Sequence, residues 1–320
     1  MIQILANDGL ENSGIDLLQS KGFHVITQHV PQEDLATFIQ SHQISVLLVR
    51  SATKVRKTLI DECTSLKLIG RGGVGLDNID VEYAINKGIQ VINTPEASTQ
   101  SVAELVFSHL FSLSRNLHLS NREMPEKAKD AFNELKKKYA KGCEVTGKTI
   151  GIIGFGRIGQ AVARMALGLG MKVLPYDPVV KSTELDIDFL HTGDTFSIRF
   201  DTVSLEDVIA QSDIITLHVP MPPDKRPIIG ANEMEKMKKG VMLINTARGG
   251  IIDEHALLTS LNANHVGAAG LDVFLDEPTP LVELLHHPRI SITPHIGGST
   301  IEAQERIGKE IAEKIIRFFH

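Results

Sequence analysis

Short apolar runs alternate with stretches of helical periodicity along the whole chain. The runs are too short for buried helices, and turn residues bound them, so each run predicts a strand. The stretches between them space their apolar residues as one face of a helix requires. Strands that alternate with helices predict an α/β protein, with a parallel sheet that helices cover on both faces. The strands predicted in the first half are 2–6, 24–27, 46–50, 66–69 and 90–93.

A second series of the same kind begins after residue 146 and predicts a second parallel sheet. Residues 179–200 interrupt this series with a polar insertion, for which we predict a surface hairpin. An amphipathic helix is predicted over residues 301–319. The strands predicted in the second series are 149–153, 172–176, 213–218, 241–245, 266–272 and 289–293.

Residues 99–118 break the alternation, because they are apolar almost all round and so predict a buried helix. The charged stretch 121–141 that follows predicts an exposed helix and a loop. Within it, Lys136, Lys137 and Lys138 are more typical of a solvated helix face than of a ligand site.

Length, charge and cysteine content exclude several classes of protein. At 320 residues the chain is long enough for two domains. Its formal net charge of −6 gives no electrostatic reason to bind nucleic acid. Its only cysteines, Cys63 and Cys143, form no disulfide framework and suit a reducing cytoplasm. Because no apolar run reaches about 18 residues, we expect no membrane span. The N-terminus lacks a charged flank followed by a long apolar stretch, so we expect no export. We also expect no metal site.

A glycine-rich loop, GFGRIG, lies between the predicted strand 149–153 and a helix. In a dinucleotide site the first glycine, here Gly154, permits a tight turn, and the second, Gly156, lets the backbone approach a pyrophosphate. The third, Gly159, lets the helix and the strand pack closely. Helix N–H groups then point at the negative charge, so the loop predicts a dinucleotide cofactor.

Asp177 ends the next predicted strand, where an acidic side chain accepts hydrogen bonds from ribose hydroxyls. A carboxylate at this place repels a 2′-phosphate, so we predict NAD and not NADP. The alternative is that Asp177 only begins an Asp-Pro turn.

Two candidate catalytic or binding side chains follow predicted strands of the second series. Arg248 carries a guanidinium that suits a planar carboxylate, and the pair Gly249 and Gly250 leaves room for a ligand. His295 can exchange a proton near neutral pH. An ordinary surface role for Arg248 and a structural role for one of 13 histidines are the alternatives.

A carboxylate beside His295 would favour the imidazolium form and fix the orientation of the ring. Asp276 and Glu277 are both candidates, and their spacing does not decide between them. An imidazole, a guanidinium and a dinucleotide together predict hydride transfer to or from a small 2-hydroxy acid. The central expectation is that folding brings the imidazole and the guanidinium to opposite sides of one nicotinamide ring.

Several ordered motifs resemble those of the D-isomer-specific 2-hydroxyacid dehydrogenases. They are GFGRIG with the later Asp177, LHVP at 217–220, NTARGGIID from Asn245, LDVFLDEP from Leu271 and PHIGGST from Pro294. The resemblance covers nearly the whole chain and implies two Rossmann-like domains with doubly wound parallel sheets. It implies a discontinuous substrate domain over 1–98 and 288–320, and an NAD-binding domain over 99–287.

The resemblance also implies roles for individual residues. It makes Arg248, Glu277 and His295 the catalytic residues, and so favours Glu277 over Asp276. It places Asp272 near the nicotinamide carboxamide. The further residues that it implies at the cofactor are Val74, Arg157, Ile158, Val219, Pro220, Thr246, Ala247, Gly297 and Gly298.

Within the family, the N-terminal half is most similar to the D-3-phosphoglycerate dehydrogenases, in VRSATKV from Val49, GRGGVGLDNID from Gly70 and NTPEA from Asn93. Two arginines in these motifs would bind a substrate phosphate, with residues 136–138 as a further source of positive charge, and the backbone at 73–75 would receive the carboxylate. Structural ion pairs are the alternative for both arginines, and Val74 replaces the small polar residue expected there. The predicted substrate residues are Arg50, Ser51, Arg71, Gly73, Val74 and Gly75.

The implied reaction is the NAD-dependent oxidation of 3-phospho-D-glycerate to 3-phosphohydroxypyruvate, which leads to serine. The alternatives are a glyoxylate or hydroxypyruvate reductase, and an NAD(H)-sensing binding protein or corepressor on the same fold. The resemblance implies a homodimer, to which the helix predicted over 99–118 contributes. Because we find no C-terminal regulatory domain, we expect no feedback by serine through such a domain.

Overall fold

A computed structural model describes residues 1–189 and 192–320 of the chain. These residues form two compact units. Unit 1 comprises Met1–Ser101 and Gly298–His320, and unit 2 comprises Val102–Gly297. The substrate domain predicted from the sequence corresponds to unit 1, and the NAD-binding domain corresponds to unit 2.

Unit 1 is a five-stranded sheet in the order β2-β1-β3-β4-β5, and every neighbouring pair is parallel. Its strands are β1 (Gln3–Ala6), β2 (His24–Ile26), β3 (Val46–Val49), β4 (Leu68–Arg71) and β5 (Gln90–Asn93). Its helices are α1 (Asn12–Ser20), α2 (Leu35–Ser41), α3 (Lys57–Glu62), α4 (Val81–Asn86) and, at the end of the chain, α12 (Ile301–Phe319).

The sheet of unit 1 is buried on both faces because its strand residues alternate between two cores. Leu5 and Leu47 pack into one hydrophobic cluster, while Ile4 and Leu48 pack into the other. Ile311 of α12 lies in the second cluster, so the C-terminal helix covers that face. The apolar runs that predict these strands are therefore explained by burial on both sides.

Unit 2 contains a six-stranded sheet in the order β13-β12-β11-β10-β6-β7, again parallel throughout, and a separate hairpin. Its strands are β6 (Thr149–Ile153), β7 (Lys172–Tyr176), β8 (Ser182–Phe189), β9 (Asp194–Asp201), β10 (Ile214–Leu217), β11 (Val241–Asn245), β12 (Val266–Leu271) and β13 (Ile290–Ile292). Its helices are α5 (Thr99–Ser114), which begins just before the unit boundary, α6 (Leu117–Tyr139), α7 (Arg157–Gly168), α8 (Leu205–Gln211), α9 (Ala231–Lys236), α10 (Glu254–Asn262) and α11 (Val282–His286).

The two parallel sheets confirm the predicted α/β class with doubly wound, Rossmann-like sheets. Both boundaries of the NAD-binding domain differ from the sequence prediction, which starts this domain at 99, whereas unit 2 starts at Val102. The prediction ends the NAD-binding domain at 287, whereas unit 2 continues to Gly297. The reason is that β13 pairs with β12 at the edge of the sheet of unit 2.

The helix predicted over 99–118 is α5, which ends earlier, at Ser114. Most of its surface is buried, as the apolar composition predicts, but Gln100, Glu104, Ser108 and Phe111 form an exposed stripe. These residues follow helical spacing, so one face of α5 is exposed to solvent.

The polar insertion forms the antiparallel hairpin β8-β9, which confirms the predicted surface hairpin. Leu185 on β8 is fully buried, and the Phe200 ring on β9 lies 5.7 Å from the Phe155 ring. Apolar side chains at its base thus fix the hairpin to the core of unit 2.

No helix in the described part of the chain is long and apolar enough to cross a membrane. The described residues also contain no group of three or more His, Cys, Asp or Glu side chains that could hold a metal ion.

Strand order decides where unit 2 can bind a ligand. β6 has β7 on one side and β10 on the other, so the direction in which strands are added reverses at β6. Open α/β sheets bind ligands outside the carboxyl ends of the strands at such a point. A ligand site is therefore expected at the loops that follow β6 and β10.

Candidate active site

The glycine-rich loop between β6 and α7 requires its glycines for different reasons. Gly154 has a φ of +99°, and a Cβ at this position would lie 2.5 Å from the carbonyl oxygen of His218. A Cβ at Gly159 would lie 2.1 Å from the carbonyl oxygen of Gly154, so α7 packs directly on the loop. A Cβ at Gly156 would have no neighbour within 4 Å. The second glycine thus faces open space at the N-terminus of α7, where a pyrophosphate can approach N–H groups.

Asp177 lies directly after β7 and holds the glycine loop. Its Oδ2 accepts a hydrogen bond from the backbone N–H of Phe155 at 2.7 Å, and its Oδ1 accepts from Val179 and Val180. Burial alone would raise the pKa of Asp177, but these three N–H donors lower it overall. The side chain both caps the Asp-Pro turn and stands as a carboxylate beside the loop, so the two sequence interpretations are compatible.

Buried polar atoms in the segments that follow β10 and β11 support a polar ligand. The Thr246 hydroxyl oxygen and the His218 Nδ1 are buried and have no hydrogen-bond partner among the described residues. Burial lowers the pKa of His218 to about 3, so the ring is neutral at pH 7. Val219 lies next to Gly154, because a Cβ on that glycine would be 2.8 Å from the Val219 Cγ1. Together with the open Gly156, these groups fit a dinucleotide.

Arg248 is presented by a compact turn after β11. The Asn245 side chain accepts a hydrogen bond from the Ala247 N–H and donates one to the Arg248 carbonyl oxygen. The Arg248 Nη1 donates to the Ala247 carbonyl oxygen at 2.6 Å. Asn245 is only 2% exposed, so the turn rests on a buried amide.

The paired glycines after Arg248 serve a different purpose from the one predicted. A Cβ at Gly249 would lie 1.8 Å from the Phe274 carbonyl oxygen, and one at Gly250 would lie 2.8 Å from the Leu275 side chain. The space is therefore taken by the backbone of the segment after β12 and does not make room for a ligand. This contact joins the Arg248 turn to the segment that carries Glu277.

Glu277 connects that segment to His295. One carboxylate oxygen accepts a hydrogen bond from the Phe274 N–H at 3.0 Å, and the other lies 2.8 Å from the His295 Nδ1. Glu277 thus makes the contact that spacing could not assign, and Asp276 does not. Because Nδ1 faces the carboxylate, Nε2 is the ring nitrogen available for proton exchange, and the His295 side chain is 43% exposed.

Asp272, at the end of β12, fixes the backbone around His295. Its carbonyl oxygen accepts the His295 N–H, and its carboxylate accepts the N–H groups of Ile296 and Gly297 and the hydroxyl of Thr293. Burial raises the pKa of Asp272 against the effect of these donors. His295 has a φ of +55°, so its unusual backbone conformation is held by a buried carboxylate.

In unit 1 the predicted substrate residues lie at the carboxyl ends of β3 and β4. The loop after β3 is held by Asp8, whose carboxylate accepts the N–H groups of Arg50 and Thr53. Asn78 donates a hydrogen bond to the Arg50 carbonyl oxygen at 2.8 Å. Ser51 in the same loop is exposed. Unit 1 therefore presents Arg50 on a rigid loop.

The loop after β4 is built around Arg71. A Cβ at Gly73, which has a φ of +148°, would lie 2.6 Å from an Arg71 Nη, so the guanidinium covers this glycine. The Asn93 side chain donates to the Val74 carbonyl oxygen at 2.7 Å, and the Val74 side chain is exposed. Gly75 follows in the same loop.

Lys136, Lys137 and Lys138 lie on an exposed face in the last turn of α6, as expected for a solvated helix face. Lys138 pairs with Glu123 at 2.9 Å. Because the Lys138 ammonium group is already paired with a carboxylate, it is a weaker candidate for a phosphate ligand.

Sequence reasoning missed Asp8, His218 and Glu254. Asp8 and Glu254 hold loops: Glu254 accepts the Leu275 N–H at 2.7 Å and so supports the segment that carries Glu277. The signal available for Asp8 was its position directly after β1, at the carboxyl edge of the sheet. His218 belongs to the LHVP motif, in which the family resemblance implies only Val219 and Pro220 as cofactor residues.

Comparison with known proteins identifies the family of this chain. The model of the family described as "D-isomer specific 2-hydroxyacid dehydrogenase, NAD binding domain" matches residues 107–297, which lie within unit 2. In the solved D-lactate dehydrogenase of Aquifex aeolicus, in complex with NAD and lactic acid, 29% of residues are identical. That match covers 100% of this chain and 95% of the other, with a TM-score of 0.76.

Two curated relatives cover almost all of this chain. A hydroxypyruvate reductase of Thermotoga maritima is 42% identical, over 98% of this chain and 97% of the relative. A D-3-phosphoglycerate dehydrogenase of Bacillus subtilis is 38% identical, over 99% of this chain but 57% of the relative. The chain thus spans little more than half the length of that dehydrogenase.

Proposed function

The chain belongs to the D-isomer specific 2-hydroxyacid dehydrogenase family, and on that basis we propose that it interconverts 3-phospho-D-glycerate and 3-phosphohydroxypyruvate. NAD is the cofactor of this family domain. The observation that carries the oxidoreductase chemistry is the His295–Glu277 contact at 2.8 Å, in the same unit as the glycine-rich loop. The choice of a phosphorylated substrate rests on two arginines at the carboxyl ends of neighbouring strands, Arg50 directly after β3 and Arg71 as the last residue of β4.

His295 exchanges the proton of the reaction. In the oxidative direction its Nε2 takes the proton of the substrate hydroxyl as the C2–H hydrogen leaves with its electron pair. Bound NAD⁺ supplies the acceptor of that hydride. Glu277 holds the ring through Nδ1 and stabilises the imidazolium that forms. The products are the 2-oxo acid, NADH and a proton on His295.

Arg248 binds the substrate carboxylate and polarises the reacting oxygen. A guanidinium offers two parallel N–H donors to a planar carboxylate, and its positive charge stabilises the negative charge that develops on the carbonyl oxygen during reduction. The buried amide of Asn245 fixes the turn that presents it. Arg50 and Arg71 would bind the phosphate, which carries close to two negative charges and so suits two cations.

A hydroxypyruvate reductase is the second candidate. The observation in its favour is the Thermotoga maritima relative, which this chain matches over 97% of the length of that relative. The two reactions use the same proton and hydride chemistry and differ in the phosphate contacts. Arg50 and Arg71 are therefore the residues that distinguish them.

Replacing Arg71 with glutamine tests the phosphorylated substrate. We expect kcat/KM for phosphohydroxypyruvate to fall by about a hundredfold, since hydrogen bonds between charged groups contribute about 1.5–3 kcal/mol each. We expect kcat/KM for hydroxypyruvate to change by less than about threefold, because that substrate makes no phosphate contact. Initial rates of NADH oxidation with both substrates provide the measurement.

Arg56→Gln is the matched control, since Arg56 lies in the same unit, is 47% exposed and pairs with Asp80. It should leave both rates unchanged. If the wild-type protein uses hydroxypyruvate as well as it uses phosphohydroxypyruvate, or if Arg71→Gln lowers both equally, the phosphate assignment is wrong and the reductase is favoured.

Asp177 is proposed to select NAD over NADP. Replacing it with asparagine keeps an acceptor for the Phe155 N–H but removes the negative charge that would repel a 2′-phosphate. We expect the ratio of kcat/KM for NADPH to kcat/KM for NADH to rise by about tenfold, which corresponds to about 1.4 kcal/mol. Asp201→Asn, in the exposed hairpin, is the control and should leave the ratio unchanged. A ratio that stays constant in Asp177→Asn would mean that the carboxylate serves only the turn.

We further propose a homodimer in the cytoplasm. Large apolar side chains on α5 and α6 are exposed, namely Phe111, Leu117, Met124 and Phe132, and a second copy could bury them. The free thiols of Cys63 and Cys143 suit a reducing compartment. An NAD(H)-sensing binding protein remains the alternative of a different class, and binding of NADH without turnover of any 2-oxo acid would favour it.

A further inference from the structure

Helix α5 carries a buried histidine for which the proposed reaction has no direct use. The His109 side chain is 2% exposed and lies within unit 2. Its Nδ1 lies 3.0 Å from the Ser291 hydroxyl oxygen, and its Nε2 lies 3.1 Å from the Thr293 hydroxyl oxygen. A Cβ at Gly270 would lie 2.7 Å from the His109 Cβ, so β12 packs tightly against this residue. His109 therefore bridges two hydroxyls of one neighbouring segment.

The hydrogens in this network can be assigned from the chemistry of its members. The Thr293 hydroxyl donates to the Asp272 Oδ1 at 2.6 Å, because a carboxylate only accepts. A hydroxyl has one hydrogen, so at its contact with His109 the Thr293 oxygen must accept, and Nε2 must carry a hydrogen. Burial lowers the pKa of His109 to about 4, with a smaller contribution from His118, so the ring is neutral. Its Nδ1 then accepts the Ser291 hydroxyl.

Asp272 links this network to the candidate catalytic histidine. The same Oδ1 that accepts the Thr293 hydroxyl also accepts the Ile296 N–H at 2.8 Å. The other carboxylate oxygen accepts the Gly297 N–H, and the Asp272 carbonyl oxygen accepts the His295 N–H. Asp272 thus holds the backbone of residues 295–297, the first through its carbonyl oxygen and the other two through its carboxylate.

We propose that His109 is a positioning residue, which acts through Thr293 and Asp272 on the backbone that holds His295. The neutral ring with hydrogen on Nε2 directs the Thr293 hydroxyl at Asp272 and so fixes the carboxylate that anchors the N–H groups of Ile296 and Gly297, next to His295. Its role in turnover rests on the proposed function, whereas its effect on the order of this loop does not. Neutral histidine donates to Thr293 through Nε2 and accepts from Ser291 through Nδ1, so one ring serves both hydroxyls.

The test compares His109→Met with His109→Gln. Methionine fills the volume but makes neither hydrogen bond, whereas the glutamine amide can still donate to Thr293. We expect His109→Met to lower kcat with the best 2-oxo acid by about tenfold, with a smaller change in KM, because displaced catalytic groups slow the chemical step. We expect His109→Gln to recover most of that loss. His265→Gln, a partly buried histidine of unit 2 bonded to the Met237 carbonyl oxygen, should retain the wild-type kcat.

Hydrogen–deuterium exchange supplies a measurement that does not depend on activity. A peptide that spans residues 293–298 should exchange faster in His109→Met than in the wild type, and at the wild-type rate in His265→Gln. If the wild-type protein turns over no 2-oxo acid while this difference appears, the proposed function fails and the loop network stands.

A double-mutant cycle with Thr293→Val tests the route of the effect. If His109 acts through Thr293, the double variant should be no slower than Thr293→Val alone, since both changes break one network. Multiplicative losses in the double variant would show that His109 acts elsewhere and would overturn the proposal. So would a His109→Met variant with the kcat and exchange rates of the wild type, or a His109→Gln variant as slow as His109→Met.

Discussion

Replacing His295 with glutamine should lower kcat for NADH-dependent reduction of a 2-oxo acid by about two to four orders of magnitude, the range that general acid–base catalysis contributes. Glutamine keeps a polar group of similar length but cannot exchange a proton near neutral pH. Because His295 contributes a side chain and Asp272 holds its backbone, the loop itself should survive the change. The expected phenotype is a protein that binds NADH but turns over slowly.

Stopped assays over long incubations measure the residual rate, and NADH fluorescence measures binding. His286→Gln is a suitable control, since His286 is an exposed histidine of unit 2 whose Nδ1 contacts the Val282 carbonyl oxygen. It should behave as wild type. A His295→Gln variant that retains more than about a tenth of the wild-type kcat would remove this histidine from the proton-exchange role.

Replacing Arg248 with glutamine should reduce kcat/KM for any 2-oxo acid by on the order of a hundredfold or more, since a charge-assisted pair of hydrogen bonds is lost. Arg248→Lys should recover only part of this, because an ammonium group cannot reproduce two parallel donors. The affinity for NADH should change little. Initial rates over a range of 2-oxo acid concentrations, with NADH saturating, separate kcat from KM.

Arg226→Gln controls for the loss of a positive charge, since Arg226 lies in the same unit, is 85% exposed and pairs with Asp224. It should leave kcat/KM as it is in the wild type. A lysine variant as active as the wild type would show that Arg248 acts as a simple point charge, and an active glutamine variant would remove it from the substrate site.

Much of the fold could be predicted because it depends on local pattern. The strands of both sheets are apolar runs, since parallel strands with helices on both faces are buried on both sides. The amphipathic stretch over 301–319 is helix α12, with the predicted bounds. The hairpin was likewise predictable, because the insertion is largely polar and follows a strand of the second series.

The errors come from contacts that no local pattern reports. The boundary predicted at 288 is displaced because β13 pairs with β12, and strand pairing across the chain leaves no trace in the residues between them. Gly249 and Gly250 follow a candidate ligand residue, so the sequence suggested room for a ligand, whereas Phe274 and Leu275 fill that room. A glycine allows close packing, but the sequence does not show whether a ligand or another segment of the chain packs against it.

Some residues of the candidate site could be identified from the sequence, and others could not. Gly154, Arg248 and His295 lie within three residues of the carboxyl ends of strands, where open parallel sheets bind ligands, so the sequence pattern identifies them. Spacing alone did not decide between Glu277 and Asp276; the family resemblance favoured Glu277, and Glu277 is the carboxylate that contacts His295. His109 carried no signal at all, because its partners lie more than 180 residues away in the chain.

Transfer of deuterium is the most direct test of hydride chemistry at this site. Wild-type protein is incubated with NADH that carries deuterium at both C4 positions of the nicotinamide and with phosphohydroxypyruvate or hydroxypyruvate, and the product is analysed by NMR and mass spectrometry. The account predicts one deuterium at C2 of a product with D configuration, formed far more slowly by His295→Gln. Full binding of the nucleotide with no deuterium at C2 for either substrate would contradict it.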